Sequence, residues 1–287
     1  MNNYNKLITM YHPMTATPFR HCKAYTEIIP DGALKPYIRC FWGTEEPLKS
    51  TEKSADIPGL VIPDTCMDII FSFDSNNNLI DSCFCAIDEN SHFSNQNGVS
   101  SIFAIRFYAW SAVMFTNDLL TNSKNKIFAA EEFFPGLEND LLPMLESVNS
   151  LNERAAFAEN YLLKTLDNNR INSNMMNAVY DIISAAGTIK TAELAAKNAV
   201  SKRQLERIFC DNMGISPKSF SSLVRYQMLW QELCFRGGNI LDLTEKYGYS
   251  DQSHLLNDFK KRHSMTPRQA LDFKNNVAFL QYKPQVL

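Results

Sequence analysis

Short apolar runs broken by turn residues fill the first hundred or so positions, and longer runs with helical spacing fill the rest. Between about residues 19 and 110 the runs YIRCFW, GLVIP, DIIFSF, LIDSCFCAI and SIFAIRFYAW read as strands. The polar DSNNN segment suits a hairpin, with Asn76–Asn78 at its tip because Asn tolerates left-handed backbone angles. From Ser111 to about Leu166 the pattern turns helical through AVMFTNDLL, FAAEEF, ENDLLPMLESV and NERAAFAENYLLKTL, the last being the best patterned. The polar stretch DNNRINSN, Asp167 to Asn174, reads as a linker. Everything after it is helical to about Asp272, and the tail NNVAFLQYKPQVL has no clear pattern. The pattern predicts an α+β chain. A strand-rich domain with helices occupies about 1–168, with strands over 19–110 and helices over 111–167, and an all-α domain occupies about 174–275.

Inside the helical part a small pattern occurs twice. The run AVSKRQLERIFCDNMGISP returns about fifty residues later as GYSDQSHLLNDFKKRHSMTP. Leu194, Lys197, Ser201, Leu205, Phe209 and Ser216-Pro217 match Leu243, Lys246, Ser250, Leu255, Phe259 and Thr266-Pro267. The second copy carries one extra residue between Ser250 and Leu255. Each copy reads as a short helix, a tight turn and a longer helix. Ser201 with Gln204 forms a capping box, and the two Ser/Thr-Pro pairs are N-cap and N1 signals for the next helices.

Short helix, turn and longer helix make a helix-turn-helix, whose second helix enters the major groove of DNA. Leu205, Ile208 and Phe209 share one face of the first such helix, and Arg203, Glu206 and Arg207 point elsewhere. In the second, Leu255 and Phe259 are the core positions, and Gln252, Ser253, His254 and Asn257 lie off that stripe. Between the units, SPKSFSSLVRYQMLWQELCF predicts a helix of roughly 18 residues, about 27 Å long. That length suits two recognition helices about 34 Å apart, one DNA turn.

Composition narrows the class. With 287 residues, 45% hydrophobic and 21% charged, the chain is an ordinary globular protein of about two domains. No apolar run approaches the roughly 20 residues of a membrane span, and the N-terminus has no signal segment, so a cytoplasmic protein without membrane partners is expected. From Asn174 onward there are 15 Lys and Arg against 10 Asp and Glu, a balance of +5, which leaves −8 before it. A basic half joined to an acidic one fits a nucleic-acid binder with a separate regulatory domain.

Chemistry in the first half is sparse. His12, His21 and His92 are unpaired, so the H-x-H element of a metal-binding cupin is missing, and no G-x-S-x-G, P-loop or H-E-x-x-H motif occurs. Neither an enzyme nor a cofactor is expected. Seven cysteines suggest reduced thiols rather than a disulfide framework. Cys83 and Cys85 form C-x-C with Cys66 upstream, which is either a metal or redox site or, as favoured here, a strand with small buried thiols. A thiol- or metal-dependent sensor or enzyme centred on these cysteines is the alternative function. Asp64 and Asp68 flank Cys66, as an acidic pair or as a turn aspartate and a strand-edge one. Arg106, inside IFAIRFYAW, either anchors an acidic ligand or pairs with Asp68 in the core, the pair being favoured. Arg106, Asp68 and Trp42 are the candidate ligand-binding residues.

The runs LAAKNAVSKRQLERIF, GISPKSF and, above all, GYSDQSHLLNDFKKRHSMTP resemble the C-terminal DNA-binding domain of AraC/XylS-family transcriptional regulators over about residues 173–273. The chain departs at Leu255, where Phe is usual, at Ser264, where Gly is usual, and at Thr244, where a small Ala packs. The resemblance implies base readers at Arg203, Glu206 and Arg207 in the first unit and at Gln252, Ser253, His254 and Asn257 in the second. Lys202, Lys260 and Lys261 would then meet phosphate. IIPDGALKPYIRCFW, VIPDTCMDIIFSFD and IFAIRFYAWSAVMF resemble the small-strand N-terminal domain of some bacterial members, with Pro63-Asp64-Thr65 where P-D-G is usual. That likeness implies a barrel-like sensing or dimerising domain. The implied partner is double-stranded promoter DNA, with RNA polymerase, a small-molecule effector and a second copy of the chain as further candidates.

Overall fold

The computed structural model describes residues 3–14, 25–30, 32–44, 59–94 and 99–274. Strands expected near residue 19 and the tail beyond 274 lie outside the described residues. The N-terminal half contains helix α1 (Asn3–Met10) and strands β1 (Tyr25–Ile28), β2 (Ile38–Thr44), β3 (Gly59–Val61), β4 (Cys66–Phe73), β5 (Leu79–Cys85), β6 (His92–Ser94), β7 (Ser101–Tyr108) and β8 (Ile127–Ala129). Helices α2 (Leu142–Glu146) and α3 (Leu151–Thr165) complete it. Six strands form an antiparallel sheet in the order β1-β2-β7-β4-β5-β8, and β3 pairs with β6 in a separate ribbon.

Alternation along the strands gives the sheet two unlike faces. Phe41, Ile69, Phe71, Phe84, Phe103, Ile105 and Phe107 point into the main core. Phe103 stacks between Phe41 and Phe71 at 6.1 and 6.0 Å. The opposite face carries a smaller apolar cluster of Cys40, Trp42, Ile102 and Ala104, together with charged side chains. Asn77, at the tip of the β4–β5 hairpin, has φ of +67°, and its side-chain amide donates to the carbonyls of Glu146 and Val148. Arg154 of α3 is buried against the same tip. Its guanidinium lies 3.8 Å over the Phe73 ring and bonds the Asn77 side chain.

Two expected helices take other forms. FAAEEF begins as strand β8, because Ile127–Ala129 pair with Cys83–Cys85 of β5, and only Ala130–Glu132 form a 3-10 turn. Tertiary pairing overrides the weak local preference there. AVMFTNDLL winds for one 3-10 turn, Ala112–Phe115, before Thr116 donates to the carbonyls of Val113 and Asp118 and turns the chain away. Helix α1 has no counterpart among the elements read from the pattern.

The C-terminal half is helical: α4 (Ser173–Ser184), α5 (Thr191–Lys197), α6 (Lys202–Met213), α7 (Pro217–Phe235), α8 (Ile240–Lys246), α9 (Gln252–His263) and α10 (Pro267–Lys274). Asn172 caps α4 by accepting from the Met175 amide at 3.0 Å. The two halves share one core. Trp110 meets Phe220 of α7 edge-on at 6.3 Å. Gln227 of α7, fully buried, accepts from the Met14 amide and donates to the carbonyls of Met14 and Pro63.

Candidate nucleic-acid interface

Helices α5 and α6 form the first unit, α8 and α9 the second, with α7 between them. Ser201 accepts from the Gln204 amide at 3.1 Å, so α6 begins at Lys202. Leu205, Ile208 and Phe209 are buried, and Lys202, Arg203, Glu206 and Arg207 are exposed together on the other side. Ser216 and Thr266 cap α7 and α10, each accepting from the amide three residues on.

The second unit differs in its cap. Asp251, not Ser250, is the N-cap, accepting from the His254 amide at 2.8 Å. This absorbs the extra residue, because Leu255 then stands four places after its cap, as Leu205 does after Ser201. The acid directly before the helical run was the signal for it. Helix hydrogen bonds hold the Asp251 carboxyl below its usual range, foremost the one from the His254 amide. Leu255 and Phe259 are buried, and Gln252, Ser253, His254, Asn257, Lys260 and Lys261 are exposed. His254 is tethered, with Nδ1 3.1 Å from the Ser250 hydroxyl and its ring edge-on to Tyr249.

Arg262, third in the basic run, turns inward. It is buried, donates to Asp258, Ser222 and the Glu89 carbonyl, and lies over Tyr226. The three departures from the family pattern are each accommodated. Leu255 is fully buried, and Thr244 satisfies its hydroxyl on the Ile240 carbonyl at 2.7 Å. Ser264 adopts φ of +60°, where Gly214 in the first unit has +72°. Arg225 of α7 stacks 4.3 Å over Tyr249, and exposed Leu256 in the second row has no signal in the sequence pattern.

Both units rest on loops of the N-terminal half. Under the first, the Leu120 amide donates to the Asp211 carbonyl, Thr121 donates to the Asp211 carboxylate, and Gly214 lies against Ser123. Under the second, Glu89 receives Arg262 on its carbonyl and Lys124 on its carboxylate at 2.9 Å, and Ser91 meets Ser264 at 2.6 Å.

The candidate ligand residues lie on the polar sheet face. Arg106 sits between Asp68, at 3.0 Å, and Asp64, and Trp42 donates its indole N–H to Asp68 at 2.9 Å. The Asp64 carboxylate also accepts from the Cys66 amide, so it is both a turn residue and an ion-pair partner. Burial raises the Asp68 carboxyl, and Arg106 and then Trp42 oppose that shift. The three residues thus satisfy one another. Cys40, Cys66, Cys83 and Cys85 share this face. Among the described residues no group of three or more His, Cys, Asp or Glu side chains is placed to hold a metal.

The repeated capped units give the C-terminal half two helix-turn-helix units joined by α7. Residues 194–272 match the family described as "Helix-turn-helix domain", and residues 26–126 match a domain family of unknown function, DUF6597. The HTH-type transcriptional activator RhaS of Yersinia pestis (strain Pestoides F) is 26% identical over 80 residues, 28% of this chain and 29% of that relative. The chain therefore aligns with under a third of that relative's length. An AraC-type DNA-binding regulator structure from Chromobacterium violaceum shares 24% identity over 34% of this chain and 89% of its own, with a TM-score of 0.33. ToxT from Vibrio cholerae shares 12% identity over 81% and 98%, with a TM-score of 0.42. The two matched stretches fall one on each half of the chain, residues 26–126 on the sheet-bearing half and residues 194–272 on the paired helix-turn-helix units.

Proposed function

We propose that this protein is a one-component transcription regulator that places α6 and α9 in successive major-groove segments of promoter DNA. The observation that carries the reading is the matched pair of exposed side-chain rows opposite buried Leu205-Ile208-Phe209 and Leu255-Phe259. Arg203 and Arg207 suit guanine O6 and N7, Gln252 and Asn257 suit adenine, and Glu206 suits cytosine N4. Lys202, Lys260 and Lys261 meet phosphate and contribute affinity without sequence preference. The N-terminal half takes the signal, and an effector acts by binding one arrangement of the halves better than another.

A gel-retardation series on promoter fragments tests this. Changing Arg203 and Arg207 to Ala should weaken specific binding by at least tenfold, since each bidentate base contact discriminates by about 1–3 kcal/mol. Gln252→Ala with Asn257→Ala should relax sequence preference at the other half-site only. Unchanged retardation by both pairs would sink the assignment of these rows.

A further inference from the structure

Next to the Arg106 cluster, on the same sheet face, lies a group to which the regulator reading gives no task. Cys83 and Cys85 stand two apart on β5, and their sulfurs are 4.0 Å from each other. Both are only partly buried. Their cross-strand neighbours on β8 are Ala129, which is small, and Ile127, which is 64% exposed. The pair therefore lies one strand in from the sheet edge.

A disulfide does not suit this geometry. In a regular strand, residues two apart have Cα atoms about 6.6 Å apart, and a disulfide needs Cβ atoms within about 4 Å. A single bridging atom does suit it. Sulfurs 4.0 Å apart, each bonded at about 2.3 Å, would subtend an angle near 120° at a metal. Structural zinc takes four ligands, and among the described residues no third or fourth donor is grouped with these two. Soft monovalent copper is satisfied by thiolates at low coordination number.

We propose that Cys83 and Cys85 form a dithiolate site for one soft monovalent cation of the copper(I) class, and that its occupation is coupled to the DNA-binding half. The two sulfurs already face each other at a separation one ion can bridge. Binding releases the protons of both thiols to water, and no electron is transferred. The third in-plane position is left to a small external donor.

The coupling rests on the segment immediately after Cys85. The Ala86 amide donates to the Lys126 carbonyl, the Asn125 amide donates to the Ile87 carbonyl, and the Glu89 amide donates to the Asn125 side chain. These two segments, 86–91 and 120–126, are the seats of the two helix-turn-helix units. A shift in the β5–β8 pairing thus reaches Asp211 of α6 and Arg262 of α9 through a few backbone and side-chain hydrogen bonds. The DNA readout of this coupling rests on the regulator reading; the site itself does not.

The test titrates the full-length reduced protein anaerobically with cuprous ion against a copper(I) chelator. About one ion per chain should be retained, with a thiolate-to-metal absorption band, and it should protect Cys83 and Cys85 from alkylation in peptide mass spectrometry. Cys83→Ser, Cys85→Ser and the double variant should lose at least tenfold in copper affinity, while Cys210→Ser should not. Melting curves establish that each variant is folded; if the serine variants are not, the alkylation map of the native chain decides alone. No retained copper, or protection confined to other cysteines, overturns the site. With copper bound at the pair, the promoter-retardation midpoint should move several-fold in the native chain and stay fixed in the double variant. An unmoved midpoint overturns the coupling and leaves the site. Failure to retard DNA with or without copper counts against the regulator reading instead.

Discussion

Single residues at the ends of α6 and α9 show how the second unit departs from the first. Gly214 and Ser264 both hold left-handed backbone after their helices, with φ of +72° and +60°. Only the glycine does so without cost, since a Cβ in that conformation is disfavoured by about 1–2 kcal/mol. Ser264→Gly should therefore raise stability by about 0.5 kcal/mol, net of the lost Ser91 contact, as read by urea denaturation. Gly214→Ala should do the reverse and more, by roughly 2 kcal/mol. Its Cβ would stand 2.2 Å from the Ser123 hydroxyl and 2.8 Å from the Leu120 carbonyl.

His263 is a second decisive residue. It is buried beside Phe259 and Trp230, with Nδ1 2.8 Å from the Tyr226 hydroxyl, and burial pushes its pKa down to about 3. The unfolded chain binds that proton near pH 6.5 and the folded one does not. Its contribution to stability is therefore complete above about pH 6.5 and is lost as the pH falls towards 3. Melting curves across pH 7 to 4 should show this decline, and His263→Phe should flatten it. Neither Ser264 nor His263 announces its role by spacing. The departure from Gly at 264 was legible in the sequence, but the burial of a histidine at the end of a basic run was not.

At the scale of elements, legibility followed the locality of the signal. The helix-turn-helix units were readable because caps and helical spacing agree within twenty residues and the whole pattern recurs about fifty residues on. Long strands such as β4 and β7 were readable from their apolar runs. β8 was not, because three residues have no period of their own and take their form from β5. The outward rows of α6 and α9 were legible as the complement of the core stripe, and the structure leaves every one of those side chains exposed. Leu256 gives no signal in the sequence because an apolar residue off the stripe carries no readout pattern.

The lysines on these helices make a separate prediction. Each of Lys202, Lys260 and Lys261 changed to Ala should lower affinity about equally for all DNA sequences. Each should also reduce the slope of log affinity against log salt by about 0.9. A change in sequence preference instead would move that lysine from phosphate to base contact.

Across the whole molecule, the two halves are not beads on a string. Gln227 is 0% exposed and spends its amide on the backbone at Met14 and Pro63, and Gln231 reaches the His12 carbonyl. The segment after α1 thereby lies along α7, the helix that joins the two helix-turn-helix units. Little of this was legible in the sequence. A glutamine within an amphipathic helix reads as surface, and only the distant chain brought to it makes it interior. The charge asymmetry between the halves is a property of the sequence itself.

Helix α7 has a further consequence. Its 19 residues are one uninterrupted rod, about 28 Å long, held along its length by the other half of the protein. Such a ruler has no joint. If the proposed reading holds, operators that suit this protein present their two short words on the same side of the duplex. Inserting about five base pairs between them turns one word to the far side of the helix. Retardation should then fall to the level of a single word, and a full turn of added DNA should not restore it, because a rigid ruler cannot stretch to match.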